Sequence, residues 1–298
     1  MTETAQERDP SREAADRAHD SGFLSDVQVY EPHRVGLPKL RPYFIELWRR
    51  REFAAELSRA EMRSANTRTF FGQVWLVLNP LLLAMVYFIL VFILAGGARG
   101  PAFFAHLTAG LFAFYFISGS ITAGAKSVVS SGSLIANLAF PRLLMPMAAV
   151  RTSFFRFLPP LAVYFVIHLA TGQPWSWNML LSVYFIGCML LVAIGLAAVF
   201  ATLQVYFRDT TSFLPYFLRI WLYLSPIIWY VSDVPNRLAP FVKFNPLYSV
   251  IGGFSDLLVR GEIPPLSIWI AAAAWGVAFV VVGALFFLSR EREFAVRL

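Results

Sequence analysis

Hydrophobic and polar positions fall into three regimes along the chain. Residues 1–25 are charged and poor in aromatics, a composition that buries too little apolar surface to order itself, and Pro and Gly punctuate 27–39. Residues 1–41 therefore read as a tail, largely disordered at its start. Over 42–68 the pattern turns helical. Phe44, Leu47, Trp48, Ala54, Leu57 and Met62 share one broad face, and Arg49, Arg50, Glu52, Glu56, Arg59 and Arg63 occupy the other. An apolar stripe opposite a cationic face, just before a spanning segment, suits a helix lying in a membrane interface or packed on a soluble partner. The predicted amphipathic element fills 42–73.

From residue 74 to 298 apolar runs dominate. Six are long enough to span, at about 74–95, 103–125, 145–170, 178–203, 212–231 and 266–289. At 1.5 Å rise per residue, about 20 residues cross about 30 Å of hydrocarbon. The prediction is an all-α polytopic membrane protein with six transmembrane helices. The connection 232–265 is long, and its middle (NPLYSVIGGFSDLLV) is apolar enough to dip back into the bilayer as short helices.

Composition and charge tighten this picture. The residues AVILMFWYC make up 58% of the chain and DEKR 14%, against about 25% charged in an average soluble domain. Residues 1–73 hold 12 of the 25 Lys and Arg and 12 of the 18 Asp and Glu, so the remaining 225 residues are too poor in charge to coat a water-soluble globule. Cations border the tail, the 126–144 and 204–211 loops and the C-terminal SREREFAVRL, while 171–177 has none. The positive-inside rule then puts both termini in the cytoplasm, and the basic balance reflects loop bias rather than nucleic-acid binding. No apolar h-region stands near the start, so no cleavable signal peptide is expected.

Missing chemistry excludes several functions. Cys188 is the sole cysteine, which rules out disulfide scaffolds and cysteine zinc sites. After residue 73 the acids are Asp209, Asp233, Asp256, Glu262, Glu291 and Glu293. None lies in a predicted span and no two suit a metal pair, so neither an ion relay nor metal-dependent group transfer has its residues. His106 and His168 lie near span ends and read as structural. No G-x-S-x-G elbow or GxxxxGK[ST] phosphate loop occurs. Energy for uphill movement must therefore come from a partner, and no cofactor or metal is expected in this chain.

Five short motifs occur in a telling order: Phe71-Gly72-x-x-Trp75 with Asn79-Pro80; Leu134-Ile135, Phe140-Pro141-Arg142 and Pro146; Tyr206-Phe207-Arg208-Asp209; Tyr223-x-Ser225-Pro226-Ile227; and Asn245-Pro246-Leu247. Over about 42–290 the chain resembles the membrane subunits of polysaccharide-export ABC transporters, the Wzm-like permeases whose relatives export O-antigen, teichoic acid or galactan. The resemblance implies that 42–68 is an interface helix and that 129–140 is a coupling helix. It implies that Leu134, Ile135, Asn137, Phe140, Pro141, Arg142, Arg208 and Asp209 meet the ATPase, and that 234–262 forms external re-entrant gate helices. It further implies two copies of the chain with two cytoplasmic ABC ATPase chains that hold ATP and Mg, in a bacterial inner membrane. The substrate so implied is a polyprenyl-pyrophosphate-linked polysaccharide, such as O-antigen or cell-wall galactan.

A sugar polymer cannot cross hydrocarbon unaided, because each unpaired hydroxyl costs several kcal/mol there. Aromatic faces can hold a sugar's C–H face and still release it. Tyr87, Phe112, Tyr115, Tyr216, Tyr223 and Trp229 are the candidate tunnel wall. Arg151, Arg156 and Arg219 lie inside predicted spans, where they either snorkel to headgroups or grip a lipid pyrophosphate, with Lys126 and Arg142 nearby. Two other functions fit less well: a permease for a drug or lipid, and a membrane-embedded glycosyltransferase, against which the missing acids count.

Overall fold

The computed structural model describes residues 39–64, 72–97, 99–138, 140–230, 233–235, 237 and 239–298. Most of the predicted tail, the end of the predicted amphipathic element and Phe71 lie outside these. The described residues form helices α1 (Leu40–Arg49), α2 (Arg51–Ser64), α3 (Trp75–Leu94), α4 (Pro101–Ser130), α5 (Gly132–Asn137), α6 (Leu144–Ala170), α7 (Ser182–Tyr206), α8 (Thr210–Tyr223), α9 (Ala239–Phe244), α10 (Pro246–Ser255), α11 (Leu266–Arg290) and α12 (Phe294–Arg297), with no strand among them.

Five segments are long and apolar enough to cross a membrane: Gly72–Leu94, Pro101–Ser130, Leu144–Ala170, Trp177–Tyr206 and Leu266–Glu293. This is a multi-pass helical membrane protein. The predicted crossing at 212–231 takes a different form. Its helix, α8, has 14 residues, about 21 Å at helical rise and short of a 30 Å layer. It begins beside the end of α7. By Tyr230 the chain has reached the other end of the bundle, where that ring lies 5.3 Å from Phe103 near the start of α4. Residues 224–230, which follow α8, are non-helical.

Irregular backbone packed among apolar helices must have its polar groups satisfied within the protein. Here one side chain supplies much of this. Asn245 donates through Nδ2 to the Leu224 carbonyl and to Ser225 Oγ, each at 3.0 Å. Its Oδ1 accepts from the Leu247 N–H, capping α10, and from Trp221 Nε1, also at 3.0 Å. Trp229 Nε1 donates to the Tyr223 carbonyl at 2.9 Å. Ser225 and Ile227 are fully buried. The Tyr-x-Ser-Pro-Ile and Asn-Pro-Leu motifs are thus two halves of one joint: Pro226 lies just past α8, and Asn245-Pro246 starts α10.

The central helix is α4, which packs along α6 and α7 and also meets α3. It is rich in Ala, Gly, Ser and Thr, which lets neighbouring backbones approach, and its hydroxyls bond to its own carbonyls three or four residues earlier, as Ser120 does at 2.7 Å. α7 packs along α11 at a crossing too close for side chains. A Cβ at Gly195 would sit 2.2 Å from the Phe279 carbonyl carbon, and one at Gly283 would sit 2.2 Å from the Gly195 oxygen. By contrast α3 is apolar all round and about half exposed.

A second core gathers at the end of the bundle that carries α1, α2 and the C terminus. Leu47, Ala54, Ile135, Leu144, Phe287 and Phe294 bury together there. The predicted 42–68 helix is two helices, broken at Arg50. α2 lays Ala54, Ala55 and Ser58 on α6, where Thr152 donates to Glu61 Oε2 at 2.9 Å. Phe44, Ile45 and Trp48 stay exposed.

Candidate functional site

A cleft of about 320 Å³ opens between α3, α4 and α6. α3 contributes Trp75, Asn79 and Pro80, α4 contributes Phe112 and Tyr115, and α6 contributes Arg156. Two prolines shape it chemically. Pro80 and Pro160 have no N–H to give, so the carbonyls four residues earlier, on Leu76 and Arg156, lose their helical donors. Both residues line the cleft. Arg156 is partly buried and makes no ion pair or hydrogen bond among the described residues. The cleft thus presents a cation and aromatic walls.

Tyr115 stands between this cleft and a second group. Tyr87 and Tyr223 approach edge to face, with ring centroids 6.3 Å apart and hydroxyls at 3.4 Å. Arg219 is close enough to act electrostatically on both Tyr87 and Tyr115. Tyr216, Arg219 and Tyr223 occupy positions three and four apart on α8, so they share its exposed face. Of the six candidate aromatics, Tyr87, Tyr115 and Tyr223 come together, and Phe112 joins Tyr115 at the cleft. Tyr216 points out of the single chain, and Trp229 is bonded to backbone. Arg151, outside the cleft, lies over the Phe155 ring at 5.4 Å.

The candidate partner-contact residues divide by burial. Ile135, Pro141 and Arg142 are buried, Leu134 and Phe140 are half-buried, and Asn137, Arg208 and Asp209 are exposed. Phe140 packs on Phe53 of α2 at 5.3 Å. Arg142 is tied inside the protein to Glu291, its backbone N–H to the carboxylate and its guanidinium to the backbone carbonyl. Gln204 shapes the 206–211 loop, donating to the Arg208 carbonyl at 3.0 Å and accepting the Thr211 N–H at 2.9 Å. Phe207 is left exposed beside the charged pair.

The opposite end carries a cluster that charge spacing alone did not foretell. Arg99 pairs with Asp233 at 2.5 Å. The guanidinium groups of Arg99 and Arg260 lie 5.0 and 5.3 Å from the Tyr230 ring centre. His106 Nδ1 meets Ser255 Oγ at 2.9 Å. Burial pushes the Asp256 carboxyl above its ordinary range, Arg260 pulls it back, and Glu262 adds to the rise. No group of three His, Cys, Asp or Glu side chains among the described residues is placed to hold a metal.

Fold and site together define a multi-pass helical membrane protein with an aromatic and cationic cleft between its helices. The chain is a relative of polysaccharide-export permeases. It is 25% identical over 252 residues, 84% of this chain and 96% of the other, to the O-antigen export system permease protein RfbA of Myxococcus xanthus. Two proteins of that name from Klebsiella pneumoniae are 29% identical over 231 residues (76% of this chain, 87% of the relative) and 27% identical over 229 (76% and 86%). No family model matches the chain. The likeness runs through nearly the whole of each relative, so it is to a permease as a unit.

Proposed function

We propose that this chain is the membrane subunit of an ATP-driven exporter that carries a polyprenyl-pyrophosphate-linked polysaccharide out of the cytoplasm. ATP and Mg bind on separate ATPase chains, two of which serve two copies of the permease. The reading places both termini in the cytoplasm of a bacterial cell and α8 with residues 224–230 as the sixth crossing. It makes the chain a transport subunit rather than an enzyme. The names of the relatives support O-antigen as the type of cargo. A cell-wall galactan is a narrower possibility resting on the sequence resemblance alone.

One observation carries this reading: Arg156 faces a cleft walled by Trp75, Phe112, Tyr115 and Phe157 with no carboxylate to neutralise it. An unpaired Arg in a spanning helix costs about 2.5–3.5 kcal/mol at mid-bilayer, so the position calls for an anion. A pyrophosphate meets guanidinium geometry with paired hydrogen bonds. The rings beyond it, Tyr115 and then Tyr87 with Tyr223, offer the following sugars a surface that binds without trapping. Arg219 continues the positive field along the same route.

The test is Arg156→Ala in purified protein held in nanodiscs, with undecaprenyl pyrophosphate as the probe. Loss of a charge-assisted contact of about 1.5–3 kcal/mol predicts binding weaker by about tenfold to a hundredfold. Arg156→Lys should restore part of it. Unchanged binding and unchanged export, with normal amounts of protein in the membrane, would rule the pyrophosphate site out.

A further inference from the structure

The last long helix does not end freely. α11 stops at Arg290, and the next residue, Glu291, is only 5% exposed although it is a carboxylate. Its Oε1 accepts the backbone N–H of Arg142 at 2.6 Å, and the Arg142 guanidinium donates to the Glu291 carbonyl, at the negative end of the helix dipole. Tyr43 of α1 hydrogen-bonds the same carboxylate, and its hydroxyl accepts the Leu143 N–H at 3.4 Å. Two residues on, Glu293 receives the hydroxyl of Tyr206, the last residue of α7, and pairs with Arg290 at 3.2 Å and Arg297 at 3.3 Å. Phe294, fully buried, meets Phe287 edge on at 5.1 Å, and α12 packs on α5 and α7.

Stability alone does not explain this arrangement. A buried carboxylate loses hydration that its partners only restore, and apolar side chains of similar volume hold helices together at least as well. What hydrogen bonds add is register: the loop before α6 is fixed to the end of α11 at a defined spacing. This knot touches α5 and α7 through α12, and α7 leads into the Arg208-Asp209 turn.

We propose that Glu291 is a positioning residue that makes α11 move with the 140–143 loop and, through Glu293 and Tyr206, with the end of α7. A displacement received at α5 or at Arg208-Asp209 then reaches α7 and α11 together. Those two helices also meet at the Gly195–Gly283 crossing, and the knot sets how their ends move against each other. This inference rests on the reading of the chain as a partner-driven permease.

The experiment reconstitutes the full chain in liposomes with its ABC ATPase and reads export of a labelled undecaprenyl-pyrophosphate oligosaccharide per ATP hydrolysed. Co-purification of the two chains is measured alongside. Glu291→Ala removes the tie, whereas Glu291→Gln keeps its size and an acceptor for the Arg142 N–H. Both variants should hold the ATPase as the natural chain does. The alanine variant should export about tenfold less per ATP, with most of that recovered by glutamine. Tyr206→Phe, which removes one hydroxyl and keeps the ring, should lower the same ratio by a smaller factor and serves if the alanine variant fails to accumulate. An unchanged ratio in all the variants overturns the proposal. So does a loss of export that merely tracks lost ATPase binding. A natural chain that exports nothing with ATP overturns the permease reading, and this one with it.

Discussion

Arg156 and Asp256 are both partly buried ionisable groups, but their surroundings differ. Arg156 lines an aromatic cleft without a carboxylate, the position that the proposed function fills with an anion. Asp256 sits near Arg260 and Glu262, with burial holding its carboxyl above the usual range. Because its folded-state pKa is raised, the folded protein binds its proton more tightly than the unfolded chain does. That contribution is fully present below the ordinary aspartate range and is lost as pH climbs through the raised value. Asp256→Asn should therefore melt at a higher temperature than the natural chain at neutral pH, with the gain vanishing in acid. A thermal shift of the same size at both pH values would contradict this assignment. The sequence showed where such residues occur but not their company. Spacing along a helix placed Arg156 in a span, whereas its cleft-mates come from two other helices far away in the chain.

Among the elements, α8 departs furthest from what its sequence suggests. Hydropathy alone makes 212–231 one span, because Leu, Ile, Trp and Tyr continue past the helix end. The stop comes from Ser225-Pro226, and the break is tolerated because Asn245, 20 residues on, reaches back to satisfy it. No window of local sequence contains that relation. The long apolar helices were legible for the opposite reason: each satisfies its own backbone, so length and composition suffice. Similarly the amphipathic lead-in was legible as a helix, but its break at Arg50 was not. Removing Asn245 tests the joint. Asn245→Ala strips the cap of α10 and the partners of Leu224, Ser225 and Trp221, and should cost about 2–4 kcal/mol, seen as a lower melting temperature. Asn245→Asp keeps the cap but loses the donor, so it should recover only part. A stable alanine variant would mean that water replaces the side chain and the joint is not sealed.

At the scale of the molecule, one copy leaves too much unfinished. The tyrosine face of α8 is exposed, and so is about half of α3, which lines the cleft. If a second copy closes the path, the α8 faces of two chains must approach. The lone cysteine is buried and should stay silent, so single introduced cysteines report cleanly. Ile220→Cys, on the exposed face between Tyr216 and Tyr223, should give cross-linked dimers in membranes with a short bifunctional maleimide. Val277→Cys, exposed on α11, should not. Cross-linking at Val277 alone, or at neither site, would place the path elsewhere.

The contact in which the Gly195 and Gly283 backbones touch has a mechanical consequence. Two rods pressed together without intervening side chains have no cushion to compress, so they cannot slide or tilt independently. If the proposed passage widens, the movement must then come from helices outside that contact, with α3 and α8 as the door and this pair as the post.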